Sequence, residues 1–183
     1  IGFTPGTGGR DVAGILNGAT SGDIDVVYLL GADEIDAQAL DKAFVIYQGH
    51  HGDAGAHAAD VILPGAAYTE KNATYVNLEG RVQLGRRGAF PPGDAREDWT
   101  ILRALSAVLG KTLPYDDLPA LRKQLHAACP HFTKIDSVEP SPWGAFGTPG
   151  ALSSTPLGSS IENFYMTDPI SRASETMAAC TRE

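Results

Sequence analysis

Histidine and carboxylate are densest between positions 50 and 57, where His50, His51, Asp53 and His57 fall within eight residues. Imidazole and carboxylate are ligands for zinc and iron, so a small His-based metal hydrolase is one reading of this stretch. The spacing argues against it. Adjacent histidines at a strand-to-loop junction tend to diverge, no HExxH helical pair is present, and GHHGDAGAH reads as a glycine-rich loop between a strand and a helix. No metal site is expected there. Two glycine loops, Pro5-Gly6-Thr7-Gly8-Gly9 and Gly49–Gly55, superficially resemble phosphate-cradling turns. The first follows no predicted strand, and the second has neither a lysine in Walker position nor a complete G-x-G-x-x-G, so both read as tight turns. No serine lies in a G-x-S-x-G elbow. Glu70 and Glu79 could form an acid/base pair, but carboxylates in a loop and at a hairpin turn are usually solvated or paired with a neighbour such as Arg81. No catalytic residue is expected.

The two cysteines, Cys129 and Cys180, have no CxxC spacing and cannot by themselves build a disulfide framework, a zinc site or an iron–sulfur site. They read as free thiols, an inter-segment disulfide being the alternative. With 14 Lys and Arg against 22 Asp and Glu, the formal charge is −8, which repels phosphate backbones and anionic lipid. Nucleic acid is not expected as a partner. No apolar run approaches the roughly 20 residues needed to cross a bilayer, so direct membrane insertion is not expected either. The first residues carry no signal-peptide pattern. The chain opens on Ile1 in a glycine-rich stretch and reads as an excised piece or a processed product.

The elements that must position these groups follow from hydrophobic period. Val12, Ile15, Leu16 and Ala19 fall at helical spacing, and Ser21-Gly22 ends that helix. Val26–Leu30 is an unbroken apolar run, the pattern of a strand covered on both faces, and Phe44–Tyr47 and Val61–Leu63 repeat it. Thirteen residues separate each of these strands from the next, with short helices expected around Ile35–Lys42 and Ala54–Ala59. Such lengths suit parallel crossovers. The fold class is therefore α/β, a parallel Rossmann-like sheet flanked by helices.

From Pro64 the character changes. Tyr75–Leu78 and Arg81–Leu84 predict a small antiparallel hairpin turning at Glu79-Gly80. Asp94, three residues before Glu97, resembles a capping box ahead of the stripe Ile101, Leu102, Leu105, Val108 and Leu109, which runs to Gly110. Leu118, Leu121, Leu125 and Ala128 mark a further helix, with Pro130 just past its end. These observations divide the chain into an α/β domain over 1–129 and an extended Pro-rich tail over 130–183. Phe132, Trp143, Phe146, Phe164 and Tyr165 are too many aromatics for a solvated tether and suggest anchors seeking a surface. The tail ends in a docking helix that starts at Thr167-Asp168-Pro169 and places Ile170, Ala173, Ser174 and Met177 on one side.

The stretch from Ala59 to Arg87, ADVILPGAAYTEKNATYVNLEGRVQLGRR, followed by GDAREDWTILRAL, resembles the molybdopterin oxidoreductase superfamily. The matching parts are Asp60 to Pro64, Glu70, Thr74, Asn77, Glu79-Gly80-Arg81 and Asp98-Trp99, in order and at fitting spacing. Ala73 stands where cofactor-binding relatives have glycine, and Gly31-Ala32-Asp33-Glu34 replaces a Gly-x-Asn-Pro pattern. The resemblance therefore implies a degenerate member in which Asn77, Glu79, Gly80 and Arg81 are a vestigial motif and no pterin is bound; a pterin-binding oxidoreductase fragment is the alternative. ENFYMTDPISRASETMAAC, from Glu162 to Cys180, and LGADEIDAQAL, from Leu30 to Leu40, are similar to the C-terminal part of the large iron–sulfur subunit family of NADH-quinone oxidoreductase, complex I. That likeness implies a non-catalytic scaffold in the peripheral arm of a respiratory oxidoreductase, with iron–sulfur clusters in a preceding N-terminal part of the parent. Its partners would be other complex I subunits and the rest of its own chain. Its implied place is the cytoplasmic face of a bacterial inner membrane or the mitochondrial matrix side.

Overall fold

The computed structural model describes residues 8–140, 142–144, 147 and 149–182. The first part of the Pro5–Gly9 loop and the expected anchor Phe146 lie outside them.

Asp11 turns its carboxylate onto the N–H of Gly14 at 2.8 Å and so starts helix α1, Val12–Ser21. Gly22 ends the helix at φ +87°, a conformation that glycine adopts without strain. The chain then enters β1, Val26–Leu30, and continues through β2, Phe44–Gly49, and β3, Val61–Pro64, paired in parallel in the order β1-β2-β3. The register sets Val27 beside Val45, and Leu29 beside Tyr47. The first crossover holds a 3₁₀ turn, Ala37–Leu40, capped by Asp36, and the second holds helix α2, Ala54–His57, capped by Asp53.

Ala19 of α1, Leu40 of the turn and Ala56 of α2 pack with Val27, Leu29, Val45 and Tyr47 into one core, to which Ile15, Leu16 and Ile24 add partly buried carbon. Each fully buried aliphatic or aromatic side chain contributes about 1.5–3 kcal/mol. All three connecting elements thus cover the same face of the sheet. The unbroken apolar runs predicted strands covered on both faces, and here the structure differs. Burial alternates along β1, and Val26, Leu30, Phe44 and Val61 remain exposed on the second face, while Gln48 at the carboxyl end of β2 is buried there beside Asp98.

Beyond β3 the chain leaves the sheet. Strands β4, Ala73–Val76, and β5, Val82–Gly85, pair antiparallel, with Thr74 opposite Leu84. The hairpin is the expected one, but its arms sit one or two residues further from the turn, since Asn77 to Arg81 form a longer connection. The Asn77 side-chain oxygen accepts the N–H groups of Glu79 and Arg81, each at 3.0 Å, and Gly80 takes φ +81°. Helix α3, Asp98–Val108, begins later than the Asp94–Glu97 pair suggests. Glu97 makes no side-chain cap there, because its carboxylate accepts instead from the Trp99 indole at 2.8 Å and the Asn72 N–H at 3.3 Å. Helix α4, Leu118–Ala128, is capped by Asp117 on the N–H of Ala120 at 2.7 Å.

The chain separates into two compact units, Ile1–Val138 and Glu139–Glu183. Residues just past α4 belong to the first: Phe132 is buried, His131 Nε2 lies 2.6 Å from the carbonyl of Gly80, and Arg81 donates to the carbonyl of Asp136 at 2.8 Å. In the second unit, no helix or strand forms among the described residues before α5, Pro169–Arg172. The single terminal helix expected from the sequence is broken, with α6, Glu175–Cys180, starting afresh where the Ser174 hydroxyl accepts from Met177 N–H at 3.3 Å. Serine competes with the helical backbone for its own hydrogen bonds, which makes it a cap rather than a helix interior.

Candidate functional site

Parallel α/β sheets bind ligands in the crevice beyond the carboxyl ends of their strands. Here that crevice is a cleft of about 500 Å³ lined by Tyr47, His50, His51, Gly65, Glu70 and Asp94 among others. Its floor is built by Tyr47, which is 2% exposed. The phenol donates to Asp33 Oδ2 and to the carbonyl of His51, both at 3.1 Å, while Asp33 Oδ1 accepts the N–H of Gly55 at 3.0 Å. Burial, followed by the nearby carboxylate of Asp33, pushes the Tyr47 hydroxyl up to about 12. It is therefore a fixed donor rather than an acid at neutral pH.

The glycines of the loop serve this packing. A Cβ on Gly49 would stand 2.2 Å from the Tyr47 hydroxyl, and one on Gly55 would stand 2.6 Å from the carbonyl oxygen of Ala32. Close approach to the Tyr47 ring accounts for Gly49, and close approach to the Ala32 carbonyl, with the ring edge at 2.9 Å, accounts for Gly55.

A second polar chain starts at the other face of β2. Tyr28 donates to Gln48 Oε1; Gln48 Nε2 donates to Asp98 Oδ1 at 2.9 Å and to the Asp98 carbonyl at 3.3 Å; Lys71 closes the line with an ion pair to Asp98 Oδ2. Gln48 is fully buried, so these partners satisfy an amide that would otherwise be costly to bury. Sequence reasoning missed the roles of Tyr47, Asp33, Gln48, Lys71 and Asp98. The available signal was Gln48 itself, a polar residue at the end of an apolar strand that had to find a partner.

The structure disperses the histidine cluster. His50 and His51 do not diverge as expected; their rings meet edge to face with centroids 4.9 Å apart and their Nδ1 atoms 2.7 Å apart. One Nδ1 of the pair must then carry the proton and the other accept it. Asp53 accepts Ala54 N–H at 2.8 Å as the cap of α2, and His57 is exposed beside a separate cleft with Gln38 and Asp41. Among the described residues no group of three or more His, Cys, Asp and Glu side chains is placed to hold a metal ion.

Burial, then the neighbouring His51 and Lys71, lower the His50 pKa, against a smaller raising effect of Asp98 and Asp33. By NMR, His50 is expected to titrate below its ordinary 6.5. In a His51→Ala variant the value should move up towards 6.5 without reaching it, since burial persists; an unchanged titration would show that the ring pair is not coupled. The sign for stability follows. As pH falls through 6.5 the unfolded chain takes up this proton first, so the stability associated with the neutral ring is present above that pH and is lost below it.

The donor set does not fit a pyrophosphate-bearing pterin. No Lys or Arg is among the residues lining the cleft, Glu70 and Asp94 are, and the nearby Lys71 is committed to Asp98. The amide of Gly55 is already taken by Asp33. Nor do Cys129 and Cys180, one at the end of α4 and one at the end of α6, fit a cluster that ordinarily needs four protein ligands. Asn77, Glu79, Gly80 and Arg81 come together at the β4–β5 connection, where Arg81 pairs with Glu79 at 3.4 Å as expected. Glu70 turns back instead to the N–H of Ala67 at 2.9 Å.

A family model described as molybdopterin oxidoreductase matches residues 6–108, and one for the C-terminal region of the NADH-ubiquinone oxidoreductase G-type subunit matches residues 137–180. The mitochondrial NADH-ubiquinone oxidoreductase 78 kDa subunit of Candida albicans is 52% identical over 165 residues, covering 84% of this chain and 23% of that protein. The corresponding 75 kDa subunit of Reclinomonas americana is 48% identical, covering 85% of this chain and 23% of that protein. The 78 kDa subunit of Neurospora crassa is 51% identical, covering 85% and 22%. The chain spans less than a quarter of the length of these curated relatives.

Proposed function

Because the chain belongs to the family of NADH-ubiquinone oxidoreductase 75/78 kDa subunits, of which it is the C-terminal part with a molybdopterin oxidoreductase fold, we propose that it is a non-catalytic scaffold of the complex I peripheral arm. Its contribution to electron transfer from NADH to quinone is to hold a cluster-bearing remainder of the subunit against its neighbours. The iron–sulfur clusters are carried by that remainder, and Asn77, Glu79, Gly80 and Arg81 serve the hairpin rather than a cofactor. The partners are other subunits of the arm together with the rest of the same polypeptide. The site of action is the cytoplasmic face of a bacterial inner membrane or the matrix side of the mitochondrial one, peripherally bound; no described helix is long and apolar enough to cross a membrane.

We divide the labour between an α/β domain over 1–129, which supplies the rigid body, and the tail over 130–183, which docks. The observation that carries the docking role is the apolar surface of the tail. Leu152, Leu157 and Phe164 are largely or fully exposed in an irregular segment. Large apolar side chains displayed along irregular backbone gain free energy only when a partner covers them.

Deleting residues 139–183 from the full-length subunit is expected to leave little assembled complex on native gels, with NADH-to-quinone activity lost in proportion. Phe164→Ala should weaken incorporation by about 2 kcal/mol, roughly thirtyfold, if the ring is an anchor. Normal assembly of the deleted subunit would refute the docking role.

A further inference from the structure

Among the described residues, strand β1 keeps its outer edge open. Between β1 and β2 the N–H of Phe44 donates to the carbonyl of Asp25, and the N–H of Gly31 to that of Gln48, both at 2.7 Å. With Val26 opposite Phe44 in a parallel ladder, alternate residues from Asp25 to Gly31 aim their peptide groups at β2, and Val26, Tyr28 and Leu30 aim theirs outward. No described residue bonds to those outward groups. The far edge of β3 is closed at its carboxyl end, where Arg96 donates to the carbonyl of Pro64 at 3.1 Å and accepts the N–H of Ala66 at 2.8 Å. The open edge is also apolar: Val26 and Leu30 are 55% and 54% exposed. A row of unpaired peptide groups flanked by such side chains is a template for another strand.

Handedness identifies which strand. Crossovers between parallel strands are right-handed in nearly all sheets, so the face on which a crossover packs sets the direction in which the strand order advances. The two crossovers here lie on the Val27–Tyr47 face and advance the order from β1 to β3. Helix α1 lies on that same face, through Ile15, Leu16 and Ala19. A strand leading into α1 must therefore stand one place before β1, on its open edge. The relatives are more than four times as long as the matched region, and the match to a C-terminal family model places that extra length ahead of this chain.

We propose that the edge of β1 is paired, in parallel, by a strand from the stretch immediately N-terminal to Ile1 in the full-length subunit, completing a right-handed strand–α1–β1 unit. The proposal rests on the chain being the C-terminal part of a longer subunit. It makes Val26, Tyr28 and Leu30 an internal seam of that subunit and not a docking edge for another protein.

Hydrogen exchange on the full-length subunit in the assembled complex, read at single-residue resolution, tests it. The amides of Val26, Tyr28 and Leu30 should exchange at least about a hundredfold more slowly than unpaired amides, as Val27 and Leu29 do. Free exchange at the three would overturn the proposal. A photo-crosslinking benzoylphenylalanine at Leu30 should capture the upstream stretch of the same polypeptide; capture of another subunit, a second copy or a distant part of the same chain would also overturn it. These outcomes are separable from the docking role of the tail, which fails if removing residues 139–183 leaves assembly intact.

Discussion

Tyr47→Ala is expected to lower the unfolding free energy by about 3–5 kcal/mol, the range for deleting a large buried ring. The ring packs in the core with Val45, Leu29 and Ala56 and lies so close to Gly49 and Gly55 that a Cβ at either would stand within 3 Å of it. Its hydroxyl also holds the loop after β1 to the loop after β2, through Asp33 and the carbonyl of His51. Tyr47→Phe separates the two contributions: it keeps the ring and should cost about 1–3 kcal/mol, the penalty for leaving buried acceptors without their donor. Urea unfolding of the two variants checks the ordering. A loss below about 1 kcal/mol in the alanine variant would show that the crevice floor is not part of the cooperative core.

Asp98→Ala should cost about 2–3 kcal/mol. Breaking a buried pair by removing one partner costs 3–5 kcal/mol when burial is complete, and here the lower value applies because the Lys71 and Asp98 side chains are 21% and 27% exposed. The substitution takes from Gln48 its best acceptor and leaves Lys71 without its counter-charge. Lys71→Met in the same background should recover part of the loss, because it removes the stranded charge. A second readout is independent of stability. Burial first, and then Asp98, raise the pKa of Tyr28, so its ionisation should move down towards 10.0 in the variant, measured by tyrosinate absorbance. An unmoved titration together with unchanged stability would mean that the polar line from Tyr28 to Lys71 is not coupled through Asp98.

Most of the first unit was legible because its signals are local and redundant. Val26–Leu30, Phe44–Tyr47 and Val61–Leu63 are β-branched or aromatic runs at crossover spacing, and all three form parallel strands. Asp168 caps its helix where capping chemistry placed it. The misreadings occur where one local signal competes with another. Ser174 counted as a point on an apolar face, yet its hydroxyl starts a new helix. Glu97 read as half of a capping box, yet Trp99 and Asn72 draw its carboxylate away. The apolar runs were read as strands covered twice, because a run reports that carbon must be buried and not which chain buries it.

The candidate site was less legible, for a reason of distance. His50, His51, Asp53 and His57 are neighbours in sequence, yet His57, at the end of α2, lines a different cleft from His50 and His51. Asp98 and Gln48 lie fifty positions apart and meet within hydrogen-bond reach. Nothing in the composition of either segment announces that meeting.

By itself, then, the order of residues determined the strands, the helix starts, the acidic balance and the family likeness, because each depends on side chains within a few positions of one another or on a simple count. Only the tertiary structure decided that Tyr47 closes the crevice floor and that Asp98 joins Gln48 to Lys71. It also decided that the outward peptide groups of β1 find no partner among the described residues and that Val26, Leu30 and Phe44 stay exposed. Those outcomes depend on which distant peptide and carboxylate groups the packed sheet brings within about 3 Å, the distance at which a hydrogen bond exists at all.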